Sequence, residues 1–158
     1  MAYITNILKK AATDTGLRYK QGHLEEIVNS LSSESVSNLD IDLTLLVFTD
    51  IQQRGLYPFR SASVQMLIIK SASKDWTSEE REAQNLATLQ QLELELLSNI
   101  RKYAIVKKEG FTASFRERVE NAFSFGQRGL QIFNENLDGL EINCTIDYNE
   151  LNENCINK

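Results

Sequence analysis

Residues 40–71 read DIDLTLLVFTDI (40–51), QQRGLYPFR (52–60) and SASVQMLIIKS (61–71). Two runs rich in Ile, Leu, Val, Phe and Thr flank one loop, which predicts a β-hairpin. In the first arm Ile41, Leu43, Leu45, Val47 and Ile51 point one way, and Leu46 and Phe48 point the other, among Asp42, Thr44 and Asp50. In the second arm Val64, Met66 and Ile68 share one face, and Leu67 and Ile69 share the other. A strand that is apolar on both faces lies between two packing partners. The middle of the hairpin is therefore expected to be core and its ends wet. Arms of about eleven residues span roughly 36 Å, about twice the usual strand length. The connecting loop carries the only proline, Pro58, between Tyr57 and Phe59, with Arg54 and Arg60 at its edges.

Helical patterns lie on both sides of this hairpin. Tyr3, Ile4, Ile7, Leu8 and Ala11 are spaced for a short amphipathic helix that stops near Gly16. LRYKQ (17–21) suits a short extended piece, HLEEIVNSL (23–31) a second helix, and the serine-rich SSESVSN (32–38) a loop. The longest helix is expected over 77–103. Thr77 and Glu80 form a T-x-x-E capping box, and the stripe Leu86, Leu89, Leu92, Leu96, Ile100 and Tyr103 is its apolar face. At roughly 40 Å it can cover one face of the hairpin along its whole length.

Beyond KKEG (107–110) Phe111, Phe115, Val119 and Phe123 recur at helical spacing, but the alternation at 122–125 looks extended. FTASFRERVENAFSFG therefore reads as an irregular or extended lead-in and a strand near 118–126, followed by a turn between Gly126 and Gly129. QIFNENLDG (131–139) reads as a loop ending in an Asp-Gly turn. LEINCTIDY (140–148) alternates cleanly and predicts a half-buried strand. The order is α-α-β-β-α-β-β. It predicts an α+β fold of about four mainly antiparallel strands, including the long hairpin, with helices packed on one face. Residues 1–148 are expected to form a single domain, and 149–158 a polar, mobile tail.

Composition narrows the function classes. The chain has 158 residues and a net charge of −5, so no direct nucleic-acid binding through bulk charge is expected. No apolar run approaches a membrane span and the N-terminus lacks a signal-peptide core, so a protein made in a cytoplasm, with no membrane partner, is expected. Cys144 and Cys155 lie outside any CxxC motif, and two free thiols in a reducing compartment are expected.

Catalytic chemistry finds little purchase. The single histidine, His23, lies beside Glu25 and Glu26, which diverge on a helix, so no metal ligand set results. The same histidine is the only base available to a nucleophile triad, and there is no GxSxG elbow and no phosphate-cradling glycine loop. Asp40 and Asp42 share a strand face as solvated strand-end residues, and Trp76 packs before the helix cap or stacks on Arg81. No catalytic residue, cofactor or metal is expected, and the chain is not expected to be an enzyme. The loop 52–60 is different, because Arg, Tyr and Phe are the residues interfaces favour. Arg54, Leu56, Tyr57, Phe59 and Arg60 are candidate interface residues. Arg116, Arg118 and Arg128 form a second candidate, a basic patch for the acidic stretch 134–158 of a neighbouring copy.

The leading helix, the segment LRYKQGHLEEIVNSL, the long hairpin, the helix opened by WTSEER and the final strand LDGLEINCTIDY occur in an order that resembles one family. These are the small tail-terminator and head–tail joining proteins of tailed bacteriophages. The resemblance covers most of the chain in order and spacing, and the asparagine-rich end departs from it. It implies a non-enzymatic virion protein, made in the host cytoplasm, that forms a homo-oligomeric ring in the neck or at the tail end. Its partners would be itself and other phage neck or tail proteins. A monomeric adaptor or regulatory module that binds one protein through the 52–60 loop is the alternative.

Overall fold

A computed structural model describes residues 3–22, 43–48, 51–73, 75–116 and 137–151. The expected helix at 23–31, the loop at 32–38, the strand near 118–126 and the turn at 126–129 lie outside the described residues. So do His23, Glu25, Glu26, Asp40, Asp42, Arg118, Arg128 and Cys155.

The first helix, α1 (Ile4–Thr15), buries Ile4, Ile7, Leu8, Ala11 and Ala12. It ends as expected at Gly16, which takes the left-handed conformation at φ 83°. The Gly16 and Leu17 amides donate to the Thr13 and Ala12 carbonyls at 3.1 and 2.8 Å, closing a Schellman motif. A side chain at position 16 would meet no neighbour within 4 Å. The preference for glycine there is therefore one of backbone conformation alone. Gly16→Ala is expected to lower stability by about 1–2 kcal/mol, read from urea unfolding.

The fold is α+β, and the sheet is larger than the four strands expected. Its strands are β1 (Arg18–Gly22), β2 (Thr44–Phe48), β3 (Gln52–Arg54), β4 (Phe59–Ser71), β5 (Ile105–Val106), β6 (Thr112–Arg116) and β7 (Leu137–Asn149). The order across the sheet is β1-β2-β4-β7-β5, with β3 also on β4 and β6 also on β7. Only β1 and β2 run parallel among these pairs; the others are antiparallel.

The hairpin exists but is not the spine. Its first arm meets β4 in two pieces, Thr44–Val47 against Met66–Ile69 and Gln52–Arg54 against Ser61–Ser63. Between Val47–Met66 and Gln52–Ser63 the first arm holds four residues and β4 holds two, so the register shifts there. The unbroken ladder is β4 with β7, which pair from Phe59↔Asn149 to Ser71↔Leu137. Thirteen paired residues span roughly 43 Å.

Alternation along this ladder sorts the two faces. Ala62, Val64, Met66 and Ile68 of β4 and Leu140, Ile142, Cys144, Ile146 and Tyr148 of β7 join Leu45, Val47 and the helices in one core. On the opposite face Leu46, Phe48, Leu67, Ile69 and Leu137 are also buried. The middle of the hairpin is thus covered on both sides, as its pattern predicts. Towards the tip the second face turns polar, with Ser61, Ser63 and Gln65 beside Asn143, Thr145 and Asp147.

Three expectations are corrected. First, the long helix begins at Ser78 but ends at Ile100. It runs as α2 (Ser78–Arg81), a π-helical turn (Glu82–Leu86) and α3 (Ala87–Ile100). Its start follows the capping signal, with the Thr77 hydroxyl accepting from the Glu80 amide at 3.3 Å. Second, the Asp138-Gly139 dipeptide is not a turn but lies inside β7. A Cβ at position 139 would fall 2.8 Å from Leu67 Cδ1, so glycine there leaves room for the leucine that crosses it. Asp138 is held by Arg81, at 2.6 Å, with both side chains fully buried. Third, β7 continues into the segment expected to be a tail, and Glu150 beyond it is buried. Of the irregular or extended lead-in, Thr112–Arg116 is extended, as β6 paired with β7.

Cys144 sits in the helix-side core as a free thiol. Burial pushes its pKa up from the ordinary 9.0 to about 12. Its thiolate population at pH 8 is then on the order of a thousandfold below that of a free thiol, since each pKa unit is a factor of ten. In a Cys155→Ser chain, disulfide-exchange labelling of Cys144 is expected to be correspondingly slow until denaturant is added. Because the folded pKa is the higher one, this group's stabilisation is complete below pH 9 and is lost as pH rises towards 12.

Candidate functional site

The end of the sheet that carries the hairpin tip is the best-defined candidate. The tip is Gly55–Pro58, between β3 and β4. The Phe59 amide donates to the Leu56 carbonyl at 2.8 Å, which closes a tight turn over a cis Tyr57–Pro58 bond. Gly55 has φ 104°, and a Cβ there would lie 2.6 Å from the Phe59 carbonyl oxygen. Only glycine lets the chain fold back this closely.

Arg60 braces the turn. Its Nε donates to Glu150 Oε1 at 3.0 Å, and its Nη1 donates to the Gly55 carbonyl. Its guanidinium lies 5.9 Å from the centroid of the Tyr57 ring. The Glu150 amide also donates to the Pro58 carbonyl at 2.9 Å. The tip is therefore tied to the end of β7 from two sides. Burial, and then the Glu150 carboxylate, push the neighbouring Tyr148 phenol above the ordinary tyrosine range.

This braced turn presents apolar side chains outward. Leu56 is 87% exposed, Phe59 68% and Tyr57 51%. Ile105 is 66% exposed, and its register partner Asp147 is also the partner of Ser61, two residues from Phe59. Phe59 and Ile105 therefore belong to the same sheet face at the same end. Between them runs a groove of about 710 Å³, lined among others by Phe59, Arg60, Arg101, Lys102, Tyr103 and Ile105, within the size range of ligand clefts. Arg54, Arg101 and Lys102 are exposed around it. Lys107 lies 3.4 Å from Asp147 at its floor.

The candidate residues do not form one site. Arg54, Leu56, Tyr57 and Phe59 lie together at the tip with outward side chains, whereas Arg60 is occupied as the brace. Arg116 is on β6, opposite Gly139, while Arg60 is opposite Tyr148. The two rows are nine positions apart along β7, or roughly 30 Å. Arg116 Nε donates to Glu141 Oε2 of its own chain at 3.1 Å. The described acids of the stretch also pair within the chain: Asp138 with Arg81, Glu141 with Arg116, Asp147 with Lys107 and Glu150 with Arg60. Within the single chain, then, Arg116 and these four carboxylates already have partners, while Arg118 and Arg128 lie outside the described residues.

Ile105, Arg101 and Lys102 were not expected at the site. They follow the end of α3, and only the pairing of β5 with β7 brings them beside Phe59. Among the described residues no group of three or more His, Cys, Asp and Glu side chains is placed to hold a metal ion. The arrangement offers apolar contact area ringed by cations, which suits the docking of another polypeptide. Compared with known proteins, the chain matches no family model and no curated protein.

Proposed function

We propose that this chain is a structural assembly protein: a ring-forming connector or terminator in the neck or at the tail end of a tailed phage, joining or capping head and tail components. The observation that carries the assembly part is the hairpin tip. Leu56, Tyr57 and Phe59 are held outward on a turn braced by Arg60 and Glu150. Single exposed apolar residues are ordinary, but a cluster on one ordered turn marks an interaction surface. A turn already fixed in place also loses little entropy on docking. The phage part rests on the resemblance in element order.

The groove beside the tip favours a second reading, a monomeric adaptor that takes one partner segment between Phe59 and Ile105. Mass in solution separates the two. Size exclusion with light scattering is expected to give a discrete multiple of 18.0 kDa, alone or with neck or tail components. A monomer under both conditions contradicts assembly, and a one-to-one complex with a single partner supports the adaptor.

A further inference from the structure

We infer that the hairpin-tip end of one copy docks on the outer face of α3 in a second copy, around Leu94; this rests on the assembly reading above. The chain is acidic overall, yet its charge is unevenly spread. From Thr77 to Ile100 there are five carboxylates, Glu79, Glu80, Glu82, Glu93 and Glu95, and one cation. That cation, Arg81, is buried against Asp138 and contributes nothing to the helix surface. Leu94 stands 62% exposed between Glu93 and Glu95. Beside it a shallow groove of about 370 Å³ runs between α1 and α3, large enough to seat an aromatic or aliphatic side chain from another polypeptide. The groove is lined by Asp14, Leu94, Glu95, Ser98 and Asn99. Lys10, the nearby cation of α1, lies over the Tyr103 ring, 5.0 Å from its centroid.

The two surfaces are complementary in both respects that matter. One offers Leu56, Tyr57, Phe59 and Ile105 ringed by Arg54, Arg101 and Lys102. The other offers an exposed leucine flanked in sequence by Glu93 and Glu95, and a groove lined by Asp14 and Glu95. They share no residue, so the contact is between unlike patches, and a repeated contact of that kind closes into a ring when its rotation allows. Exposed ion pairs add little affinity. Their effect is to select which surfaces meet and to speed the encounter. Assembly should accordingly weaken as salt screens these charges.

The test is a charge swap in the full-length chain, read by sedimentation velocity. Glu93→Lys with Glu95→Lys reverses the helix face, and Arg101→Glu with Lys102→Glu reverses the tip end. Each variant alone is expected to associate at least tenfold more weakly than the parent, and an equimolar mixture is expected to recover association. Should the second variant melt early, since its new acids lie at a helix C-terminus, Arg54→Glu on the exposed β3 replaces it. The inference is overturned if the parent assembles and Tyr57→Ser with Phe59→Ser abolishes assembly, while both charge variants still assemble as the parent does. Loss in each variant without recovery in the mixture overturns it too. A parent that never self-associates removes the assembly reading itself, and this inference with it.

Discussion

Asp138→Ala is expected to destabilise the fold by about 3–5 kcal/mol, the usual result of breaking a buried ion pair. Asp138 and Arg81 are both fully buried and lie 2.6 Å apart. The second carboxylate oxygen accepts from Asn85 Nδ2 at 2.7 Å, and Asn85 Nδ2 also donates to the Ser71 carbonyl at 3.2 Å. Arg81 Nη2 donates to the Ser73 carbonyl at 3.1 Å. One carboxylate thus ties the start of the long helix to the end of β4 and the beginning of β7. Alanine would remove the carboxylate that sits against this guanidinium where water does not reach. Against a total stability of about 5–15 kcal/mol, that loss removes a large share. Replacing both partners, Arg81→Met with Asp138→Leu, should recover most of it, because the desolvation cost disappears with the charges. Urea unfolding of the single and double variants reads both effects. A single-variant loss below about 1 kcal/mol would show the pair to be a minor contributor.

Tyr57→Ser with Phe59→Ser is expected to act in the opposite sense, abolishing assembly while leaving the fold intact. Both rings are exposed by half or more, so little core contact is lost. The change in stability should stay within about 0.5 kcal/mol, as for other surface substitutions. Buried in an interface, however, such aromatic anchors carry about 2 kcal/mol or more each. Their joint removal should weaken association on the order of a hundredfold to a thousandfold, since each 1.4 kcal/mol is tenfold. Thermal melts establish that the variant is folded, and light scattering gives its mass. A folded variant that still assembles like the parent would remove the tip from the interface.

The elements that could be read from the sequence are those whose signals are local. The stripe of α1 and its Gly16 stop, the Thr77 cap and the alternation of LEINCTIDY each depend on residues within a turn or a strand. What could not be read depends on distant partners. Asp-Gly is a turn signal by itself, but here Arg81 reaches Asp138 across 57 positions and Leu67 fills the space above Gly139. The β4–β7 ladder, rather than the hairpin, became the spine for the same reason: nothing local announces a strand beginning at Leu137. β5 has two residues and β3 has three, too few for any period to show.

The candidate site divides in the same way. Leu56, Tyr57 and Phe59 are legible as apolar residues in a turn. The bracing role of Arg60 needs Glu150, ninety positions away. Ile105 joins the tip only through its pairing with β7, so an isolated isoleucine after a helix carries no sign of it. The pairing of Arg116 with Glu141 could not be read either, because Glu141 lies on a different strand.

The central claim is that the hairpin tip touches another subunit, and photo-crosslinking from the tip tests it most directly. With p-benzoylphenylalanine in place of Phe59, irradiation of the assembled protein is expected to give covalent products containing two copies of the 18.0 kDa chain. The same probe at Glu79, exposed at the far end of the helix, should give none joined through the tip. Crosslinks from position 59 that stay within one chain, or fall on no protein at all, would contradict the account.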